Sequence, residues 1–185
     1  PESPPLLDFG LYPMSLPALR SLCVDSFPSS NTRVDIMHGL AKVVSALEEA
    51  ELFGELWIDG SFLTEKVDPR DVDLSLRISS EAYEHGTEKQ RAAIDWVSSN
   101  LRSQLKCDSY VFMEYAADDP LFWHGEYMYS YWMRQWGFSR DERTMKGFVV
   151  YALDGNARRR AFRAFMDWHN RQLLENDRGL RAARE

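Results

Sequence analysis

Cysteine is scarce: Cys23 and Cys107 are the only two in 185 residues. That is too few for a disulfide scaffold or a four-ligand zinc site, and the expectation is two buried thiols in a reducing cytosol. The four histidines, His38, His85, His124 and His169, stand at no zinc-binding spacing from one another. No apolar run approaches the roughly 20 residues needed to span a bilayer. Pro1 to Leu7 lacks the charged and apolar regions of a signal peptide, so a cytoplasmic protein without a membrane partner is expected. Walker-type phosphate loops, Rossmann glycine fingerprints and serine-hydrolase elbows do not occur. A basic balance is also lacking. The formal net charge is −7, which argues against sequence readout of DNA.

What is present is a chain able to fold. Hydrophobic residues make up 44% and aromatic residues 13%, enough for one domain with a substantial core. The charge is unevenly spread. Residues 154–185 hold eight arginines against five acidic residues, +3, which leaves about −10 for the rest. Three stretches follow: an irregular segment with a short helix over 1–30, a domain over 31–153 and a basic amphipathic helix over 154–185.

Ser15 caps a helix over Leu16–Val24, and Asn31 or Thr32 caps a longer one reaching Ala50. Leu56–Asp59 and Asp71–Ile78 read as strands. In the second, Val72, Leu74, Leu76 and Ile78 share one face while Asp71, Asp73, Ser75 and Arg77 share the other. Thr87 and Gln90 have capping-box spacing for a helix reaching Leu105. Strands over Asp108–Tyr115 and Lys146–Leu153 enclose a segment, 122–138, with eight aromatic residues. That segment reads as a packed cover for the sheet, with a stacking platform as the alternative. The fold class expected is α+β, a small mixed sheet of about four strands flanked by helices.

Chemistry concentrates between Trp57 and Ile78. A strand ends in Gly60-Ser61, and Asp71-Val72-Asp73 opens the next after a spacer of nine residues. Glycine there permits a sharp turn and a close backbone approach to a ligand. Serine offers a hydroxyl and an N–H to phosphate oxygens, and a helical turn beyond it would add further donors. Asp71 and Asp73, two apart on a strand, lie roughly 6.5–7 Å apart at Cα on one face. Their mutual repulsion is relieved by a divalent cation, and oxygen ligands favour Mg²⁺ or Mn²⁺.

These features resemble the signature of the polymerase-beta-like nucleotidyltransferase superfamily, in a small prokaryotic branch. The pieces are Trp57-Ile58-Asp59-Gly60-Ser61-Phe62, Asp71-Val72-Asp73, Lys106-Cys107-Asp108 and Met145-Lys146-Gly147-Phe148-Val149. Asp59 departs from the pattern, since a hydrophobic residue is usual there. The resemblance implies that Gly60 and Ser61 contact the phosphates of a nucleoside triphosphate such as ATP, and that Asp71 and Asp73 bind metal. It also implies a third carboxylate on a later strand. Asp108 is the first choice and Glu114, on the same strand face, the second. Positive charge for the triphosphate would come from Arg77 or Lys146, with Lys66 and Arg70 as further candidates. The expected activity is Mg²⁺-dependent transfer of a nucleoside monophosphate to a hydroxyl of a protein or RNA. A non-catalytic binding protein of the same fold, an antitoxin or phage-defence component, is the alternative.

Overall fold

Strict alternation decides the central strand. In the computed structural model, which describes residues 3–139 and 144–154, Val72–Ser79 forms β3 and buries Val72, Leu74, Leu76 and Ile78 on one face. β2 (Phe53–Asp59) pairs antiparallel with β3, and β4 (Cys107–Glu114) pairs parallel with it. β5 (Gly147–Asp154) lies antiparallel on the far side of β2, and β1 (Gly10–Pro13) runs parallel to β5 at the edge. The sheet is therefore mixed and five-stranded, in the order β1-β5-β2-β3-β4.

The expected count of about four strands missed β1. Its glycine and proline argue against a central strand but are tolerated at an edge. The segment before it is also tied down. Leu6 N–H donates to Leu63 O at 2.9 Å and Glu65 N–H to Pro4 O at 2.8 Å, so the N-terminal residues run alongside the loop that follows Gly60-Ser61.

α1 (Leu16–Arg20) is capped by Ser15 as expected, and runs on into a π-helical turn at Ser21–Asp25. α2 (Arg33–Glu49) presents Ile36, Leu40, Val43, Val44 and Leu47 to the core. α3 (Ser80–Glu84) is one turn, and α4 (Glu88–Ser98) begins at the expected Thr87–Gln90 capping box. That helix does not reach Leu105. The chain breaks at Asn100, whose φ of 61° is left-handed, a conformation asparagine tolerates. Arg102–Leu105 then forms the separate turn α5.

The two faces of the sheet are covered differently. On the α4 side, Ser109 Oγ donates to Val97 O at 2.7 Å and accepts from Leu101 N–H at 3.1 Å. On the other side lies the aromatic segment, as helix α6 (Phe122–Gly137). Trp57 meets Phe112, Tyr129 and Phe148 at ring separations of 5.0–5.5 Å. Trp136 Nε1–H donates to Ser75 Oγ at 3.2 Å. The segment is a cover, as expected. Among the described residues no helix is long and apolar enough to cross a membrane. The basic helix expected over 154–185, with its arginines and His169, falls outside the described residues apart from Asp154.

Arg33 is fully buried, with the charge of Asp68 near enough to favour its charged form. Its five N–H donors all find carbonyls: Cys23 and Phe62 at 2.8 Å, Thr64 and Lys66 at 2.7 Å, and Val67 at 3.3 Å. Its guanidinium also stacks 3.7 Å above the Phe27 ring. Five donors in a rigid planar fork suit this task, which lysine cannot perform. Arg33 thereby pins the loop that follows Gly60-Ser61 to the start of α2.

Candidate functional site

The strand register aligns three aspartates. Asp59 pairs with Asp73 across β2 and β3, and Asp73 pairs with Asp108 across β3 and β4. Paired residues share a face, so these side chains form one row with neighbouring Cα atoms about 5 Å apart. Asp71, just ahead of β3, adds a fourth carboxylate at the same end. α6 runs from Gly125, beside Tyr115, to Trp136, beside Ser75. Its C-terminal end therefore approaches the row, and the partial negative charge of a helix C-terminus adds to the acidic potential there.

Gly60 is built into this end. Its φ of 86° and ψ of −165° belong to a region open essentially to glycine alone. A Cβ on Gly60 would lie 1.8 Å from Asp73 Oδ2. The Gly60-Ser61 turn thus sits directly against the Asp73 carboxylate. The helical turn beyond it spans only Ser61–Leu63, too short for a macrodipole, so its donors act locally.

Asp59 is 1% exposed and lies 2.5 Å from Lys146 Nζ through Oδ2. Burial pushes its carboxyl up to about 7 against the pull of Lys146, and the charge of Asp73 adds to the rise. Its Oδ1 is buried without a well-aligned hydrogen bond, and the nearby Gly60 N–H offsets part of the rise. Asp108 Oδ1 accepts from Asn100 Nδ2 at 2.7 Å, and Asp108 Oδ2 stands 3.6 Å from Arg102. Arg102 reaches Asp71 Oδ2 at 2.5 Å. That contact is misaligned for a hydrogen bond, so Asp71 Oδ2 is buried without one. Arg102 therefore bridges Asp71 and Asp108.

Of the residues singled out in the sequence, Gly60, Ser61, Asp71, Asp73, Asp108 and Lys146 come to one end of the sheet. Arg77 does not join them. It sits further along β3, bonded to Glu55 at 3.1 Å and Glu114 at 3.0 Å, above the Tyr129 ring. Glu114 is engaged there too, six residues along β4 from Asp108, so Asp108 has the better position as third carboxylate. Lys66 and Arg70 are exposed on the loop. No sequence pattern points to Arg102 or Asn100, because it is the folding of the α4–α5 junction against β4 that brings them to the row. Both cysteines are free and buried, and burial pushes both thiols up to about 12.

The donor set is made of carboxylate oxygens, the chemistry of a hard divalent cation. Two buried oxygens without well-aligned hydrogen bonds and the glycine cradle against Asp73 are consistent with a cation at this end. Among the described residues, however, no three such side chains already converge on one point. Arg102 and Lys146 hold three of the four carboxylates instead.

Residues 2–152 match a family of unknown function, DUF6932, and the chain belongs to that family. No curated protein and no solved structure matches it.

Proposed function

We propose that this family member is a divalent-cation-dependent nucleotidyltransferase with a nucleotidyltransferase-like fold. The observation that carries the reading is the aspartate row, Asp59–Asp73–Asp108, in register across three adjacent strands with the Gly60-Ser61 turn against Asp73. Asp71, Asp73 and Asp108 would hold Mg²⁺ or Mn²⁺, which when bound would neutralise charge developing on the phosphates. Ser61 and the turn backbone hold the triphosphate, and Lys146, beside the turn, supplies positive charge. Asp59 keeps Lys146 at that position. Asp108 accepts the proton of the attacking hydroxyl, on a protein or RNA, as the hydroxyl oxygen bonds to the α-phosphorus and pyrophosphate leaves.

A second reading has its own support. Arg102 and Lys146 already neutralise three carboxylates, and α6 turns Trp123, 78% exposed, with Tyr127 and Tyr131 towards solvent at a spacing of four. A non-catalytic protein that binds a partner through this stripe, as an antitoxin or phage-defence component would, fits those facts. Incubation with labelled nucleoside triphosphates, Mn²⁺ and host lysate separates the two. The enzyme leaves covalent label on protein or RNA, and Asp73→Asn abolishes it. Absence of label, together with a stable protein partner retained by Asp73→Asn and lost by Trp123→Ala, supports the binder.

A further inference from the structure

The Arg102 bridge has a fixed base and an exposed tip. Its backbone N–H donates to Asn100 Oδ1 at 3.0 Å, while Asn100 Nδ2 holds Asp108. The next link, Leu101 N–H to Ser109 Oγ, is buried. The guanidinium side chain, by contrast, is 57% exposed, against 12% for Asp71 and 13% for Asp108. It lies over carboxylates that are almost closed to solvent with the guanidinium in place. Its contact with Asp71 lacks hydrogen-bond alignment, unlike the five aligned donors of the buried Arg33.

A guanidinium carries one delocalised charge, whereas a divalent cation carries two on a point. Both cannot occupy Asp71 and Asp108 together, because they repel each other and compete for the same oxygens. A displaced guanidinium next to the site needs another anion, and phosphate suits its planar fork. We propose that Arg102 is a resident counter-ion that leaves Asp71 and Asp108 when a divalent cation enters, and then binds the phosphates of the nucleoside triphosphate arriving with that cation. This rests on the cation and nucleotide reading above. It assigns Arg102 two opposed effects, holding the empty site closed to cations and strengthening the loaded site for nucleotide.

The test is a change of sign in one variant. Mn²⁺ binding is measured on the whole chain by the electron paramagnetic resonance signal of free Mn²⁺, for wild type, Arg102→Ala and Arg102→Lys. With Mn²⁺ alone, Arg102→Ala binds the ion more tightly, by roughly three- to tenfold. With Mn²⁺ saturating, the same variant binds a non-hydrolysable nucleoside triphosphate analogue more weakly, by roughly ten- to a hundredfold. Arg102→Lys, which keeps the charge without the fork, falls between the two. Melting curves without ions check that each variant folds. An effect of the same sign in both measurements, or no effect in either, overturns the proposal while leaving the cation site standing. Failure of wild type and both variants to bind Mn²⁺ with or without the analogue overturns the site reading, and this proposal with it.

Discussion

Asp59 is the residue where burial and charge conflict most sharply. An ordinary aspartate ionises near 3.8, and this one is pushed up to about 7. The folded state therefore holds its proton more tightly than the unfolded state. The stability this group contributes is complete below about pH 4 and is lost as pH rises through about 7. That is the reverse of the usual carboxylate behaviour. Urea midpoints of wild type and Asp59→Asn, compared from about pH 4 to about pH 8, should show the wild type losing ground by a few kcal/mol relative to the variant. A constant difference across that range would mean Asp59 is ionised throughout. Gly60 makes the second residue-scale prediction. Gly60→Ala forces a strained backbone, at a cost of roughly 1–3 kcal/mol, and drives a methyl group into Asp73. Adding Asp73→Ala should recover the steric part of the loss and leave the backbone part, which a double-mutant cycle in thermal melts separates.

At the scale of elements, Arg33 holds the loop between Phe62 and Val67 in place. Arg33→Met leaves five carbonyls without their donor, and Arg33→Lys supplies three donors in the wrong geometry. Either change should cost about 3–5 kcal/mol, lowering Tm by roughly 10 °C or more. A drop of only a degree or two would mean that water replaces the guanidinium. The same loop leaves Ser61 and reaches Asp71, so partial proteolysis of Arg33→Lys should cut first between these residues. Helix α6 is held more generously, by ring contacts of Tyr129 with Trp57 and of Trp132 with Tyr110 and Phe112, and by hydrogen bonds that include Trp136 Nε1–H to Ser75 Oγ. Trp136→Phe removes that bond and leaves the Ser75 hydroxyl buried, for a loss of about 1–2 kcal/mol by urea unfolding.

For the whole molecule, four carboxylates gathered at one end of the sheet make folding and cation binding linked equilibria. Mg²⁺ or Mn²⁺ with ATP should raise Tm, because a ligand of the folded state alone stabilises it. The Asp71→Asn, Asp73→Asn double variant should lose that response, and its melting without ions reads the repulsion relieved along the row against the Arg102–Asp71 ion pair lost. An undiminished response in the variant would move the cations elsewhere.

The sequence by itself determined β3, because alternation of period two admits only one buried face. It also determined the caps at Ser15 and Thr87, which are satisfied within a few residues. The Gly60-Ser61 turn and the Asp71–Asp73 pair were legible for the same reason, their geometry being local. The tertiary structure alone decided the rest. β1 exists because β5 offers it an edge, and its own residues carry no strand signal. Asp59 joins the row only through the β2–β3 register. Arg33 is a charge that composition would assign to the surface, and five carbonyls from distant segments draw it inside. Arg102 meets Asp71, and Lys146 meets Asp59, through contacts between residues far apart in the chain. Periodicity and capping report what a chain does with its nearest neighbours. The identity of a buried charge's partner depends on which strands pair, and pairing is settled by the packing of the whole sheet.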